Sequence, residues 1–259
     1  MPERMKESEI KSSIPEVEWF TWKGLSVCQH EDVLKVGTDA ILLGTWVPKV
    51  MEQPPHSILD AGTGSGILAL MMAQCFPLAS VEAVDHDPAA CRLASFNVQQ
   101  SIYADRINII QANLLGNHAG LVHSADLVVS NPPYFFQQLQ PERPVLRNAK
   151  HAQQPETEWT KGIMTFLRTA GSLCLIVPFD TAHRWIRAVN VHAMHCQHRL
   201  DVYSFERDLR PKRSLLHFRR DLRKPVISRM VLYNPDSTWT QLYQQWIGGQ
   251  PPSAVPPGE

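Results

Sequence analysis

The amino-acid sequence predicts an α/β fold: a mostly parallel sheet with helices on both faces and an antiparallel edge. Three observations carry this prediction. Short apolar runs alternate with helical stretches from Ser57 to Val177, the pattern of strand–helix–strand crossovers. A glycine cluster, Gly62, Gly64 and Gly66, stands between the first of these strands and the helix after it. Beyond Val177 the runs become strands joined by short links, which suits antiparallel pairing.

The elements follow in order. Residues 39–47 (DAILLGTWV) predict a short helix, and 57–60 (SILD) the first strand of the alternation. The helix from Ile67 to Phe76 is stopped by Pro77. Residues 80–85 (SVEAVD) form the next strand; Asp87 then caps a helix that has Pro88 in its first turn. Strands are predicted over 106–112 and 125–130, then a helix over 156–170 ended by Gly171, and a fifth strand over 172–177. Segments 199–205, 213–219 and 229–233 complete the edge. The polar first residues, 1–18, read as a flexible arm, 19–247 as one domain, and 248–259 as a disordered tail too poor in apolar groups to offset ordering entropy.

With 44% apolar and 19% charged residues, the chain of 259 is neither disordered, collagenous nor coiled-coil. Its longest apolar run, Ile67–Ala73, is far short of the ~20 residues of a membrane helix. The opening MPERMKESEIKSS has no apolar stretch of the secretory kind, so a cytoplasmic location is expected. Five scattered cysteines without a CxxC pair argue against a disulfide framework and a zinc site. Clustered histidines (His183, His192, His195, His198) lack an acidic or cysteine partner and are expected to be packing or surface groups, with no metal; Trp185, Met71 and Met72 are expected in the core.

Twenty-five basic residues balance 25 acidic ones, which excludes a uniformly basic coat. Locally, 207–224 carries eight Lys/Arg against two Asp. It reads equally as a solvated strand edge or a phosphate-binding surface, with Arg210, Lys212, Arg213 and Arg219 the candidate contacts, set at a distance from the chemistry.

Three motifs carry chemistry. Asp60-Ala-Gly62-Thr-Gly64-Ser-Gly66 lets a ligand approach the backbone and the N–H groups of a helix N-terminus. Gly64 to Ala69 formally matches a dinucleotide fingerprint, but Asp60 would face a pyrophosphate; an acid there suits a ligand with an amino group, such as the methionine moiety of S-adenosylmethionine (SAM). An ordinary tight strand–helix turn is the competing explanation. Asp85, at the end of the next strand, can hold both hydroxyls of a ribose, which either cofactor has.

The third motif is Ser130-Asn131-Pro132-Pro133-Tyr134. Two prolines fix the backbone and remove donors, so the Asn131 amide oxygen and the Pro132 carbonyl can both accept from one planar amino group. Tyr134 offers a ring on which a base or amide can stack. Alone this would be a proline turn. In register after a glycine loop and an acidic strand end, it reads as a site that positions an amino nitrogen for methyl transfer.

DAGTGSG, Asp85 and NPPY together resemble class I SAM-dependent methyltransferases that modify amino nitrogens. Lys35-Val-Gly-Thr-Asp39-Ala-Ile-Leu-Leu-Gly44 closely resembles the KVGTDGILLG signature of the bacterial tRNA1(Val) (adenine(37)-N6)-methyltransferase family, and 19–23 and 147–151 echo it more loosely. The resemblance spans about residues 19–247 and is densest up to 151. It implies a Rossmann-like class I methyltransferase fold with a mostly parallel seven-stranded sheet, SAM as cofactor, and N6-methylation of adenosine 37 in valine tRNA. Carried over by position, Asp60, Gly62, Gly64 and Gly66 would line the methionine of SAM and Asp85 its ribose. Lys35, Thr38 and Asp39 would cover the cofactor from above. Asn131, Pro132, Pro133 and Tyr134 would hold the target adenine, Asn131 also touching the cofactor. Asn113 stands where the family has an Asp that accepts from the cofactor's adenine, Ala40 replaces a glycine, and Lys150 a common arginine; these departures leave the exact target open. The partner expected is tRNA, with no membrane, no obligate protein partner and a monomeric enzyme.

Two enzymes with NPPY compete: one acts on a protein glutamine amide, the other on an rRNA guanine amino group. The glutamine enzymes usually carry an N-terminal helical domain, and about forty residues precede the first motif here. A catalytically silent RNA-binding module predicts decay at Asn131 or in the glycine loop, and a nicotinamide oxidoreductase gives NPPY no role.

Overall fold

The computed structural model describes residues 18–30, 33, 35–116, 124–132 and 155–248. The expected arm and tail lie outside them except at Glu18 and Gly248, as do Pro133, Tyr134 and Lys150.

A hairpin comes first: β1 (Glu18–Trp22) and β2 (Leu25–Gln29) pair antiparallel. Lys23 and Gly24 both have positive φ, 45° and 80°, the turn that matches the twist of a two-residue hairpin. Helix α1 (Thr38–Val50) follows, somewhat longer than expected. Then come β3 (Ser57–Ala61), α2 (Ile67–Cys75), β4 (Ser80–Asp85), α3 (Pro88–Gln99), β5 (Ile107–Gln111) and β6 (Ala125–Ser130). The predicted cap is present: Asp87 accepts the Ala89 N–H at 2.9 Å, with Pro88 in the first turn. The chain continues with α4 (Pro155–Met164), β7 (Leu167–Pro178), α5 (Phe179–Asn190), β8 (His195–Phe205), β9 (Arg213–Arg219), β10 (Val226–Tyr233) and α6 (Gln241–Ile247).

The helix expected over 156–170 ends six residues early, and β7 takes up the remainder. Sheet pairing overrides the helical pattern there: the Ala125 N–H donates to the Phe166 carbonyl at 2.8 Å, and Leu167 pairs with Ala125 across an irregular register.

The main sheet has eight strands in the order β10-β8-β9-β7-β6-β3-β4-β5, rather than the seven expected. β5, β4, β3, β6 and β7 are parallel, and β9 is antiparallel to both β7 and β8. The expected antiparallel edge is present at β7, β9 and β8, and beyond it β10 runs parallel to β8. The link after Arg219 crosses the start of β8, and the chain must then run in the direction of β8.

Both faces are covered. Along β6, Leu127 and Val129 point to one core and Val128 to the other; along β7, Cys174 and Ile176 alternate with Leu173, Leu175 and Val177. The first core is closed by the hairpin, α1, α2 and α6, the second by α4 and α5. Met71, Met72 and Trp185 are buried, as expected. No helix among the described residues is long and apolar enough to cross a membrane.

Candidate functional site

β3 connects onward to β4 on one side, while β6 pairs on its other side. The strand order therefore reverses between β3 and β6, and the carboxyl ends of strands at such a reversal are where open α/β sheets bind ligands. The glycine loop leaves β3 there. Gly62, Gly64 and Gly66 have φ of 81°, 55° and 84°, left-handed values that would strain any residue with a Cβ. The Gly62 and Thr63 N–H groups both donate to the Val84 carbonyl, at 2.8 and 3.0 Å, which locks the loop onto β4.

Asp60 is wholly buried. Its Oδ2 accepts the Thr63 hydroxyl at 2.7 Å, while its Oδ1 is buried with no hydrogen-bond partner. Burial pushes its carboxyl up to about 7; the Thr63 bond opposes this and the charge of Asp85 adds to it. An unpaired buried carboxylate oxygen is costly, and an ammonium group supplies what it lacks.

Asp85 ends β4. Its Oδ2 accepts the Gly64 N–H at 3.0 Å and its Oδ1 the Asp87 N–H at 3.1 Å. Each carboxylate oxygen keeps a further lone pair, so the pair can still receive two hydroxyls while the backbone fixes its orientation. The Ala112 N–H donates to the Asp85 carbonyl at 2.9 Å, which brings Asn113 to the same edge. Asn113 is exposed, and its Oδ1 accepts the Leu115 N–H at 3.0 Å, so one of its two lone pairs is already used.

Asn131 follows β6 directly. Ser130, fully buried, donates its hydroxyl to the Ala61 carbonyl at 2.6 Å, and Val129 lies opposite Asp60 in the β3–β6 pairing. That pairing sets Asn131 and the buried Pro132 beside the root of the glycine loop.

Lys35, before α1, pairs with Glu18 of the hairpin at 2.8 Å, both exposed. Thr38 opens α1. The Asp39 carboxylate accepts Arg213 Nε at 2.8 Å, so it is engaged with the start of β9.

Two residues escaped the sequence reading. Asn97, buried in α3, accepts the Cys28 N–H at 2.8 Å and donates to the carbonyls of Cys28 and Ser65 at 3.0 and 2.8 Å. It joins the hairpin to the glycine loop. Trp159 of α4 lies about van der Waals distance, 3.5 Å, from where a Cβ on Gly62 would stand, and its indole N–H is buried without a partner. Among the described residues no cluster of His, Cys, Asp and Glu could hold a metal.

A family model described as the methyltransferase small domain matches residues 32–173. A tRNA1(Val) (adenine(37)-N6)-methyltransferase of Haemophilus influenzae (strain PittEE) is 30% identical over 225 residues, 86% of this chain and 94% of the relative. Its namesake in Bacteroides thetaiotaomicron is 34% identical over 202 residues, covering 77% and 83%. Among solved structures, an Agrobacterium tumefaciens protein described as a predicted O-methyltransferase superposes with TM-score 0.63 at 17% identity, covering 82% of this chain and 96% of that one. A methyltransferase of Pyrococcus furiosus gives 0.56 at 16%, covering 83% and 94%. These likenesses establish the fold. The family match and the relatives establish membership: the chain belongs to the methyltransferase small domain family and to the tRNA1(Val) (adenine(37)-N6)-methyltransferases.

Proposed function

We propose that this chain transfers the methyl group of SAM to the exocyclic N6 of adenine 37 in tRNA1(Val), the reaction named for its relatives. The observation that carries the reading is the buried, partnerless Oδ1 of Asp60 in a left-handed glycine loop, one strand away from Asn131.

Asp60 would receive the amino group of the cofactor's methionine, and Asp85 its ribose hydroxyls. Asn113 keeps one lone pair and two N–H groups for the adenine end. When bound, SAM supplies an electrophilic methyl on a sulfonium. Asn131 Oδ1 and the Pro132 carbonyl would accept the two N–H groups of the target adenine, aiming the nitrogen lone pair at that methyl. Held by Asn131 and Pro132, the adenine nitrogen would take that methyl and give up one amino proton to solvent. Positioning is the whole contribution of the protein, so no general base is needed. Tyr134 would stack on the flipped base, which an anticodon loop presents at low unstacking cost. The enzyme would act in the cytoplasm, as a monomer.

The test is incubation with labelled SAM and separate pools of tRNA, rRNA, DNA and peptide. Label in tRNA alone, recovered as N6-methyladenosine, is the expected result. Label in peptide or rRNA would replace the reading with one of its NPPY alternatives.

A further inference from the structure

The basic stretch 207–224 is divided by β9 into two ends that differ in how their cations are paired. β7 is parallel to β6, β9 is antiparallel to β7, and β8 is antiparallel to β9. β8 therefore ends at the same edge of the sheet as β3, β4 and β6. Arg213 pairs with Pro178 of β7 and Val202 of β8, so the link 206–212 stands on the rim that carries the glycine loop, Asp85 and Asn131. The sequence had suggested a surface distant from the chemistry; topology brings half of it to the site.

At the far end Arg219 and Arg223 are paired with acids, while Arg220 and Lys224 have no carboxylate within ion-pair distance among the described residues. Arg219 is held by Glu52 and Asp221, Arg223 by the same two acids, and Arg220 donates to the His192 carbonyl at 2.7 Å. At the rim, Arg207, Arg210 and Lys212 are exposed, and none has a carboxylate within ion-pair distance among the described residues. The neighbouring acids are already occupied. Asp208 accepts the Phe205 N–H at 3.0 Å, Glu206 pairs with Arg229 at 3.0 Å, and Asp39 holds Arg213.

This link is also held in shape. The Asp208 N–H donates to the Phe205 carbonyl at 3.1 Å, the Lys212 N–H to the Val202 carbonyl at 2.7 Å, and Pro211 is buried. The Arg207 guanidinium lies 4.4 Å over the Phe205 ring. A fixed backbone link carrying three exposed cations suits a ligand with repeated anionic groups. β9 is two strand spacings from β6, ~10 Å, near enough for one RNA loop to touch both.

We infer that the 206–212 link docks the phosphate backbone of tRNA, through Arg207, Arg210 and Lys212. It rests on the tRNA reading above. These contacts orient the RNA so that its target base reaches Asn131, and they carry no sequence information themselves. Arg213 and Arg219, expected as partners from the sequence, are instead committed to Asp39 and to Glu52 with Asp221.

The experiment compares three proteins for tRNA affinity as a function of salt. In R207Q/R210Q/K212Q the slope of log K against log salt should fall by about 2, with on the order of 100-fold weaker binding at 0.1 M salt. KM for tRNA should rise while kcat and SAM affinity hold. The control R220Q/R223Q/K224Q, at the opposite end, should keep the wild-type slope. Leu209→Glu is the third: the side chain is 98% exposed, so the change disturbs no packing and adds only a repelling charge. It should weaken tRNA binding at least several-fold, and it keeps the test valid if the triple variant folds poorly. A wild-type slope in the rim variants, or an equal loss in the control, overturns the docking surface. A wild-type enzyme that methylates no tRNA would instead overturn the functional reading beneath it.

Discussion

The side-chain amide of Asn97 donates to the Ser65 carbonyl at 2.8 Å, tying helix α3 to the glycine loop. The same amide group binds both the N–H and the carbonyl of Cys28. Asn97→Ala leaves three buried backbone groups without partners, a loss of about 3 kcal/mol. Urea unfolding should show it, together with weaker SAM binding. Stability within about 0.5 kcal/mol of wild type would mean that the loop holds itself.

Asp85→Ala removes the acceptor proposed for the ribose together with that of the Gly64 N–H. SAM affinity should fall by about 2–4 kcal/mol. Asp85→Asn, which keeps one acceptor oxygen, should lose less. Calorimetry reporting unchanged affinity for the alanine variant would remove Asp85 from the cofactor site.

Asp60 predicts a pH dependence. Its folded carboxyl is raised to about 7 by burial, so its contribution to stability is greatest below the ordinary carboxylate range and is lost as pH rises toward 7. The protonated form cannot receive an ammonium as an ionic partner. SAM affinity should therefore strengthen as pH rises from 6 to 8, by up to about tenfold per pH unit below the midpoint. Asp60→Asn should flatten that profile. A flat wild-type profile between pH 6 and 8 would contradict the role.

His217 acts on the fold in the opposite sense. It is buried against Ser172, with its Nε2 3.2 Å from the hydroxyl, and stacked on His198. Burial, then the charges of His198 and Arg219, pushes it down to about 4. A depressed histidine binds protons more weakly folded than unfolded, so stability is full above about 6.5 and falls as pH drops toward 4. The loss is on the order of 3 kcal/mol. His217→Gln should reduce that acid sensitivity in thermal melts taken between pH 7 and 4.5; an unchanged acid profile would place the loss elsewhere.

What could be read from the residues was what local pattern encodes. Each apolar run, the glycine loop and the Asp87–Pro88 cap is complete within a dozen residues, and all are found. Asn97 was illegible because its partners, Cys28 and Ser65, are 69 and 32 positions away and nothing local marks a buried amide. The early end of α4 reflects a tertiary pairing, Leu167 with Ala125, that outweighs a continuing helical pattern. The basic stretch misled for a geometric reason. Arg213 and Arg219 are neighbours in sequence, yet opposite ends of a seven-residue strand stand ~20 Å apart. The Asp39–Arg213 pair was equally illegible, because its members lie 174 residues apart, where sequence spacing carries no signal.

The most direct measurement uses transcribed tRNA1(Val) with adenine or guanine at position 37, with wild-type protein and Asn131→Ala. Wild type should place N6-methyladenosine at position 37 and leave the guanine substrate unmodified. Asn131→Ala should bind SAM within about twofold of wild type yet lose at least ~100-fold in turnover, because the proposed task of the residue is chiefly to hold the acceptor. Methylation of the guanine-37 transcript, or near wild-type turnover by Asn131→Ala, would contradict the account.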